Sequence, residues 1–499
     1  MVTKHCKLVI HDQCNVSFVG LDPATRRDCN KKLKFFIHAA RHTPAYRLGR
    51  WDGCISFFAI NGSTFVNVLD QVIPIIKDAG YEIEFEENLT TYDFQFDDIN
   101  NSYFSDNFDG LVWPKHHPSA GEPILLRDYQ VDVIKCAINN LQSVQEVSTG
   151  AGKTIICAAL SHLCEDYGRT IIIVPNRDLV RQTEADYLNV GLDVGVYYGE
   201  RKDYRHKHVI CTWQSLNRMM QSQTNGTGTL SIQSFIQGVV CVIVDEVHMA
   251  KADVLKSLLT GPFANVPIRW GLTGTIPPED YNAMSILASI GPVVKQLAAK
   301  TLMDLGVLAN CHVNIVQMQD TIEYEEFHDE YNYLVTDKNR LDWISELIKQ
   351  RATSGNTLVL INRIETGKEL ANRIGDSIFV SGTTKSDVRK NAYLDMSDND
   401  NKIIIATYGV ASVGINIPRI FNLIIVEPGK SFIRVIQSIG RSIRIAKDKN
   451  HVEIFDVAST CKFSSKHLSA RKKFYKRVEY PYSVKKINYL EQLEKDTIC

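Results

Sequence analysis

Two parallel α/β sheets behind a small α+β domain are the fold class this sequence predicts, on three observations. From about residue 123 to 455, short β-branched apolar runs alternate with helical stretches, the pattern of strands that cross over through helices into a buried parallel sheet. The alternation is interrupted around Pro277-Pro278 and Gly291-Pro292 and then resumes, so there are two blocks. The first 85 residues follow neither pattern, and an acidic, Asn-rich, Pro-dotted stretch over 86–122 separates them from the rest as a linker would. The expected divisions are 1–105, 112–300 and 306–499.

Composition limits the function classes. A chain of 499 residues is too long for one core and suggests about three domains. Net charge is −1, so any polyanion-binding footprint must be local. The 12 Cys include no C-x-x-C pair and no Cys/His spacing suited to zinc, so they are expected as reduced, buried thiols and no zinc is expected. The start lacks the apolar core of a signal peptide, and no run approaches the ~20 residues of a membrane span. A cytoplasmic protein, or a nuclear one if the host has a nucleus, with no membrane partner is the expectation.

In the N-terminal domain Asp22-Pro23 is a helix start, and the helix is predicted to run to about His42, before Pro44. On that helix Cys29, Leu33, Phe36, Ile37 and Ala40 share one face; Arg27, Lys31, Lys34, His38 and Arg41 cluster opposite, with Phe35 on the basic side. Tyr46-Arg47-Leu48-Gly49-Arg50-Trp51 again interleaves guanidinium and aromatic groups. Arginine forks bind phosphate and rings stack on bases, so Lys31, Lys34, Phe35, Arg41, Tyr46, Arg47, Arg50 and Trp51 are the candidate nucleic-acid contacts. The competing reading is a solvated face and a Trp that packs the next hairpin. That hairpin is predicted from Ile55–Ile60 and Thr64–Leu69 around Asn61-Gly62-Ser63, followed by a helix over 72–79 and a strand over 81–85.

The first α/β block carries Val147-Ser148-Thr149-Gly150-Ala151-Gly152-Lys153-Thr154 ahead of an apolar helix. Val147 stands where the strict phosphate-loop pattern has Gly. Gly150 and Gly152 still let backbone N–H groups turn toward phosphate oxygens, Lys153 reaches the β- and γ-phosphates and the Thr154 hydroxyl suits Mg²⁺. Predicted strands over 170–174, 209–211 and 239–244 lead to polar segments, and ligands bind beyond the carboxyl ends of such strands. After the last come Asp245-Glu246-Val247-His248, with one carboxylate for the metal shell and one to orient or deprotonate the attacking water. Arg127-Asp128-Tyr129-Gln130 lies upstream, where the Gln amide offers the donor and acceptor that adenine needs, although taken alone a surface Gln is the better explanation. Leu272-Thr273-Gly274-Thr275 suits coupling rather than chemistry, and in isolation an ordinary turn explains it equally.

The second block has predicted strands over 357–361, 378–380, 402–407, 422–426 and 452–455 and no phosphate loop, so it is not a second ATPase. It holds Ala406-Thr407, Gly414-Ile415-Asn416 and Gln437-Ser438-Ile439-Gly440-Arg441-Ser442-Ile443-Arg444. On a helix Gln437, Arg441 and Arg444 project from one side, a row suited to the charge that develops on a transferring phosphoryl group. The basic tail from Lys462 to Arg477, with Phe463, Phe474, Tyr475, Tyr480 and Tyr482, either contacts phosphates or docks on the second block.

Taken in order, Arg127 to Gln130, Ser148 to Thr154, Pro175-Asn176-Arg177-Asp178-Leu179, Thr212-Trp213-Gln214-Ser215-Leu216, Asp245 to His248 and Leu272 to Thr275 resemble the first RecA-like lobe of superfamily 2 helicases. The acid box reads DEVH, similar to the DExH translocating branch, and Gln437 to Arg444 matches the pattern Q-x-x-G-R-x-x-R. The motif from Thr407 to Asn416 carries Asn where many members have Asp. The resemblance implies two RecA-like motor lobes that hold one ATP with Mg²⁺: Lys153, Thr154, Asp245 and Glu246 from one lobe, Gln437, Arg441 and Arg444 from the other. It implies nucleotide contacts from Arg127, Gln130 and Thr149 to Thr154, coupling through His248, Thr273, Thr275, Gly414 and Asn416, and strand contacts by Arg177, Thr212, Gln214 and Thr407. Within the superfamily the chain most resembles the bacteriophage recombination and repair DNA helicases. That implies branched, duplex and single-stranded DNA and RNA–DNA hybrids as partners, a monomer, and the cytoplasm of the infected host. A duplex translocase or RNA helicase without branch specificity, and an ATP-gated annealing protein, are the rival classes.

Overall fold

The computed structural model describes residues 4–87, 92–114, 120–224, 230–249, 252–276, 280–410, 417, 419–427 and 448–495. The chain forms two compact units, Met1–Val147 with Gly152–Gln296 and Ser148–Ala151 with Leu297–Cys499.

The first unit opens with strands β1 (Lys4–Ile10), β2 (Asn15–Val19), β3 (Lys34–Phe36), β4 (Cys54–Ser56), β5 (Ser63–Phe65) and β6 (Tyr81–Glu87). Four make a sheet in the order β5-β2-β1-β6, and β3 pairs antiparallel with β4. Asp22 caps the first helix by accepting the Thr25 N–H at 2.8 Å, as its sequence signal requires. That helix spans Pro23–Lys32 and stops ten residues short of the expected end. The aromatic and β-branched run Phe35-Phe36-Ile37 favours extended backbone, and pairing with β4 takes it out of the helix. The predicted hairpin also does not form as a strand pair: β4 pairs with β3 and β5 with β2, while the Ala59 N–H donates to the Ser63 carbonyl at 2.8 Å and the Thr64 hydroxyl to the Phe57 carbonyl at 2.7 Å to close a turn between the two runs. A helix over Leu69–Asp78 and strand β6 follow as expected.

Within the stretch read as a linker, residues 94–104 are pinned in place. Phe94 and Phe96 stack with each other and meet the Tyr167 ring edge-on, and Ile99, Tyr103 and Phe104 are buried. Its low hydropathy concealed aromatic anchors, each covering more apolar area than an aliphatic residue.

Strands β7 (Gln142–Val147), β8 (Arg169–Val174), β9 (Val194–Tyr198), β10 (Arg201–Lys202), β11 (His208–Thr212), β12 (Val239–Asp245), β13 (Ile268–Thr273) and β14 (Val293–Leu297) form, among the described residues, an eight-stranded sheet in the order β10-β9-β11-β8-β12-β13-β7-β14. The ladder from β9 to β7 is parallel and β10 returns antiparallel on β9. Its buried strands are near-continuous Val and Ile runs, as a sheet covered on both faces requires.

In the second unit β15 (Asn310–Met318), β16 (Thr357–Ile361), β17 (Ile378–Val380), β18 (Ile403–Thr407), β19 (Asn422–Val426), β20 (His451–Ser459) and β21 (Tyr482–Ile487) form a sheet in the order β17-β18-β16-β19-β20-β15-β21, every pairing parallel. Strands β15 and β21 were not expected, since β21 is the Lys-rich edge, Ser-Val-Lys-Lys, and carries little apolar signal.

Arg269 on β13 is fully buried, and its hydrogen bonds among the described residues all go to carbonyls. Its Nε donates to Val266 at 3.1 Å, Nη1 to Ser289 at 2.6 Å, and Nη2 to Leu259 at 2.6 Å and to Phe263. The guanidinium thereby satisfies carbonyls at the C-terminal ends of two helices, Ala252–Thr260 and Tyr281–Ser289, where the helix dipole favours a cation. Arg269→Leu orphans these carbonyls and is expected to lower unfolding stability by at least about 3 kcal/mol. Lys at this position should restore less than half, because an ammonium lacks the planar fork; urea unfolding of the three proteins tests it.

Candidate functional site

Five polar segments stand at the carboxyl ends of adjacent strands in the first sheet. Thr212 ends β11, Pro175-Asn176-Arg177 follows β8, Asp245 ends β12, Thr273 ends β13, and the phosphate-loop residues follow β7. The strand order thus groups 175–177 with 212–216 on one side and the acid box, Thr273 and Lys153 on the other.

The turn after β7 relies on two glycines with positive φ, Gly150 at +92° and Gly152 at +81°. Gly152 caps the helix Lys153–Leu163, and a Cβ there would lie 2.6 Å from the Gln130 amide nitrogen. Gln130 is therefore buried against the loop and is not a surface residue; its Oε1 accepts the Arg127 N–H at 2.9 Å. Arg127 donates from Nη1 to the Tyr129 hydroxyl at 3.2 Å. Within the loop the Ala151 N–H donates to the Ser148 carbonyl at 3.3 Å.

Lys153 is buried. Its ammonium sits 3.2 Å from Glu246 Oε1 and 3.5 Å from the Val147 carbonyl. Glu246 adopts φ +50°, a left-handed conformation rare for a residue with a side chain, and its N–H donates to Asp245 Oδ1 at 2.9 Å. That turn ends β12 and aims the two carboxylates differently. His248 Nδ1 lies 3.6 Å from Glu246 Oε2 and 2.6 Å from Thr273 Oγ1, and the Thr273 hydroxyl donates to the Thr275 carbonyl at 2.8 Å. One chain of polar contacts therefore runs from Lys153 through Glu246 and His248 to Thr273 and Thr275. The Thr275 hydroxyl itself is buried and finds no partner among the described residues.

Burial dominates the electrostatics. The Asp245 carboxyl is pushed up to about 7, first by desolvation and then by the Glu246 charge, with Lys153 opposing. His248 is pulled below its ordinary value by burial, which keeps it neutral and free to bond Thr273. Thr154 is half-buried at the start of the same helix as Lys153. The donor set of hydroxyl and carboxylate is all oxygen and carries excess negative charge, the chemistry that a hard divalent cation requires.

On the other side of the sheet edge, the Gln214 amide donates to the Pro175 carbonyl at 3.0 Å, tying the two loops together. Its Oε1 is buried without a partner among the described residues. Thr212 caps the helix Trp213–Thr224, accepting the Ser215 N–H at 3.3 Å and bonding the Ser215 hydroxyl at 3.0 Å. Asn176 caps the helix Arg177–Asn189 through the Leu179 N–H at 3.0 Å. These capping and bracing roles were legible in Asn-x-x-Leu and Thr-x-x-Ser and were missed. Thr407 ends β18 of the second unit and is buried. Gly414, Asn416, Gln437, Arg441 and Arg444 lie outside the described residues.

In the N-terminal domain Lys31, Arg41, Arg47 and Arg50 are exposed, and Lys34 pairs with Asp52 at 2.5 Å. The aromatic candidates are committed to packing. Phe35 meets Phe57 edge-on at 5.9 Å, Tyr46 meets Phe36 at 5.7 Å, and Trp51 Nε1 donates to the Cys54 carbonyl at 2.9 Å. Phe35 leaves the basic face because the helix that would have placed it there ends at Lys32.

Two family models match the chain: Type III restriction enzyme, res subunit, over residues 123–278, and helicase conserved C-terminal domain, over 339–446. The chain belongs to the superfamily 2 helicases, which hydrolyse ATP and bind nucleic acid. It is similar to the ATP-dependent DNA helicase uvsW of Enterobacteria phage T4, 23% identical over 491 residues that cover 94% of this chain and 93% of that one. A DNA 3′-5′ translocase, XPB2 of Sulfurisphaera tokodaii, is 27% identical over 37% of this chain and 38% of its own. The solved ATP-dependent Type ISP restriction-modification enzyme LlaBIII bound to DNA shares the fold at a TM-score of 0.55 and 15% identity, over 86% of this chain and 36% of that one. No described helix is long and apolar enough to cross a membrane.

The raised Asp245 carboxyl gives a signed pH prediction. The folded state keeps a proton that the unfolded chain sheds above its ordinary value of 3.8, so this group's contribution to stability is full at low pH and lost as pH rises through about 7. Asp245→Asn lacks that titration. At pH 8, without nucleotide or metal, it should melt above the wild type, and the gap should narrow as pH falls below about 7 and close only near 3.8. Parallel thermal melts across that range test it.

Proposed function

We propose that this chain is a Mg²⁺-dependent ATPase motor on DNA that moves branch points, migrating junctions and forks and dissociating R-loops. The observation that carries the reading is the contact chain Lys153–Glu246–His248–Thr273 beside a second braced pair of loops on one sheet edge. One side suits a triphosphate, the other a polymer backbone.

In this reading the Gly150 and Gly152 turn with Lys153 holds the phosphates, and Gln130, fixed by the Arg127 N–H, faces the base. Thr154 and Asp245 would hold Mg²⁺, which supplies charge neutralisation at the phosphates. Glu246 orients the attacking water and accepts its proton. His248, Thr273 and Thr275, with Gly414 and Asn416, couple hydrolysis to strand movement, and Gln437, Arg441 and Arg444 stabilise the transferring phosphoryl group. Arg177, Thr212, Gln214 and Thr407 follow the tracked strand. The N-terminal cations Lys31, Arg41, Arg47 and Arg50 engage the branch, with Lys34, Phe35, Tyr46 and Trp51 supporting that surface. The chain acts as a monomer in the cytoplasm of an infected host. A second reading, a duplex translocase that does not separate strands, is favoured by the match to a restriction-enzyme subunit over the first motor block.

Lys153→Ala is expected to cut polynucleotide-stimulated ATP hydrolysis by at least about 10²- to 10³-fold while DNA affinity stays within about threefold. Product gels with a four-way junction, an R-loop and a plain duplex then separate the readings. Resolution of the first two supports branch movement, displacement of a third strand alone supports the duplex translocase, and ATP turnover indifferent to nucleic acid overturns both.

A further inference from the structure

The helix Lys462–Arg477 in the second unit, KFSSKHLSARKKFYKR, holds seven Lys and Arg and no Asp or Glu. Its two faces have separate fates. Leu468, Arg471, Phe474 and Tyr475 are buried, and the Arg471 guanidinium forms a two-pronged pair with Asp456 of β20 at 2.8 Å for both bonds, with the Tyr475 hydroxyl on the same carboxylate at 2.8 Å. Glu330 caps the start, accepting the Phe463 and Ser464 N–H groups at 2.9 and 2.7 Å, so the helix N-terminus already has its anion. Docking is therefore complete without the remaining lysines.

Lys462, Lys466, Lys473, Lys476 and Arg477 are exposed. At 100° per residue they fall within an arc of about 100° opposite the buried face, and the row runs about 22 Å along the axis. No carboxylate among the described residues lies within ion-pair distance of Lys466, Lys473 or Lys476. The pairs Lys462–Lys466, Lys472–Lys476 and Lys473–Arg477 are like charges at i,i+4, which weaken a helix, so helix stability does not account for them. Nor does solubility need a single-signed row in a chain of net charge −1.

We propose that this stripe binds the phosphate backbone of duplex DNA. The partner is a polyanion by charge complementarity. It is a paired rather than an unpaired strand because the row itself carries no open ring: Phe474, Tyr475 and Tyr480 are 5, 0 and 3% exposed, and the half-buried Phe463 packs against Phe327. Phe327, though 44% exposed, is held among Tyr331 and, from helix positions outside the arc of the lysines, Phe463 and His467. Single-strand sites combine a basic groove with stacking platforms, whereas duplex backbone is held by cations alone. A straight, rigid row anchored by Arg471 suits the regular phosphates of a helix. The inference deepens the proposed motor by giving its second unit a hold on paired DNA, and it rests on that reading.

The test uses the full chain carrying K466Q/K473Q/K476Q, and a charge-matched control, K77Q/K135Q/K368Q, altered at exposed positions elsewhere. Binding of a blunt duplex and of a single strand of equal length is titrated over a range of salt, with melting curves to verify folding. For the duplex, the slope of log affinity against log salt should fall by about 2 to 3 in the stripe variant. In the control it should fall by less than about 1, and single-strand affinity should change by less than about twofold. A duplex slope equal to the control's, or an equal loss for both DNAs, overturns the stripe while leaving the motor reading standing. A wild-type chain that binds neither DNA overturns the motor reading and the stripe with it.

Discussion

The ion pair between Lys153 and Glu246 is the constraint around which the first unit is arranged. A buried ammonium needs a counter-charge, and the one it has sits on a residue forced into left-handed backbone at the end of β12. That turn places Asp245 and Glu246 side by side with one ammonium on Glu246, so one negative charge is in excess; burial first, and the Glu246 charge second, raise the Asp245 carboxyl. A phosphate that takes the ammonium must compete with Glu246, and a divalent cation near Asp245 relieves the excess. In the proposed function, ligand arrival therefore frees the very carboxylate that handles water.

Topology does the rest. Because β12 lies between β8 and β13, and β7 lies beyond β13, crossing from the loops at 175–177 and 212–216 to the acid box takes one strand spacing. The Gln214–Pro175 bond stiffens one group and the His248–Thr273 bond the other. Contacts of this kind make a sheet edge act as a unit, and they use side chains that would serve as ordinary caps in any other α/β protein.

Most of the parallel-sheet architecture was legible because Val and Ile runs such as Thr170 to Val174 and Asn422 to Val426 are buried on both faces and carry their own signal. The glycine turn after β7 and the paired acids at the end of β12 were legible as strand-end features because glycines and acids follow apolar runs there. What misled was local. Phe35-Phe36 continued a helical periodicity that pairing with Cys54–Ser56 overrode, and the polar stretch around Phe94 and Phe96 hid anchors inside a linker composition. Gln130 was indistinguishable from a surface amide until Gly152 closed on it. The ion pair of Lys153 with Glu246 spans 93 positions and leaves no mark in spacing.

The Arg269 clamp has a mechanical consequence. The carbonyl of Leu259 that it holds also lies 3.9 Å from the Cys14 thiol, and the Thr260 and Ala264 carbonyls accept from Asn15 and Gln13. The tip between β1 and β2 is thus bolted to one end of the helix Ala252–Thr260, whose other end begins a few residues after the acid box. The N-terminal sheet is thereby linked, through a single stiff rod about 13 Å long, to the stretch that follows the acid box, so a displacement of one is shared with the other.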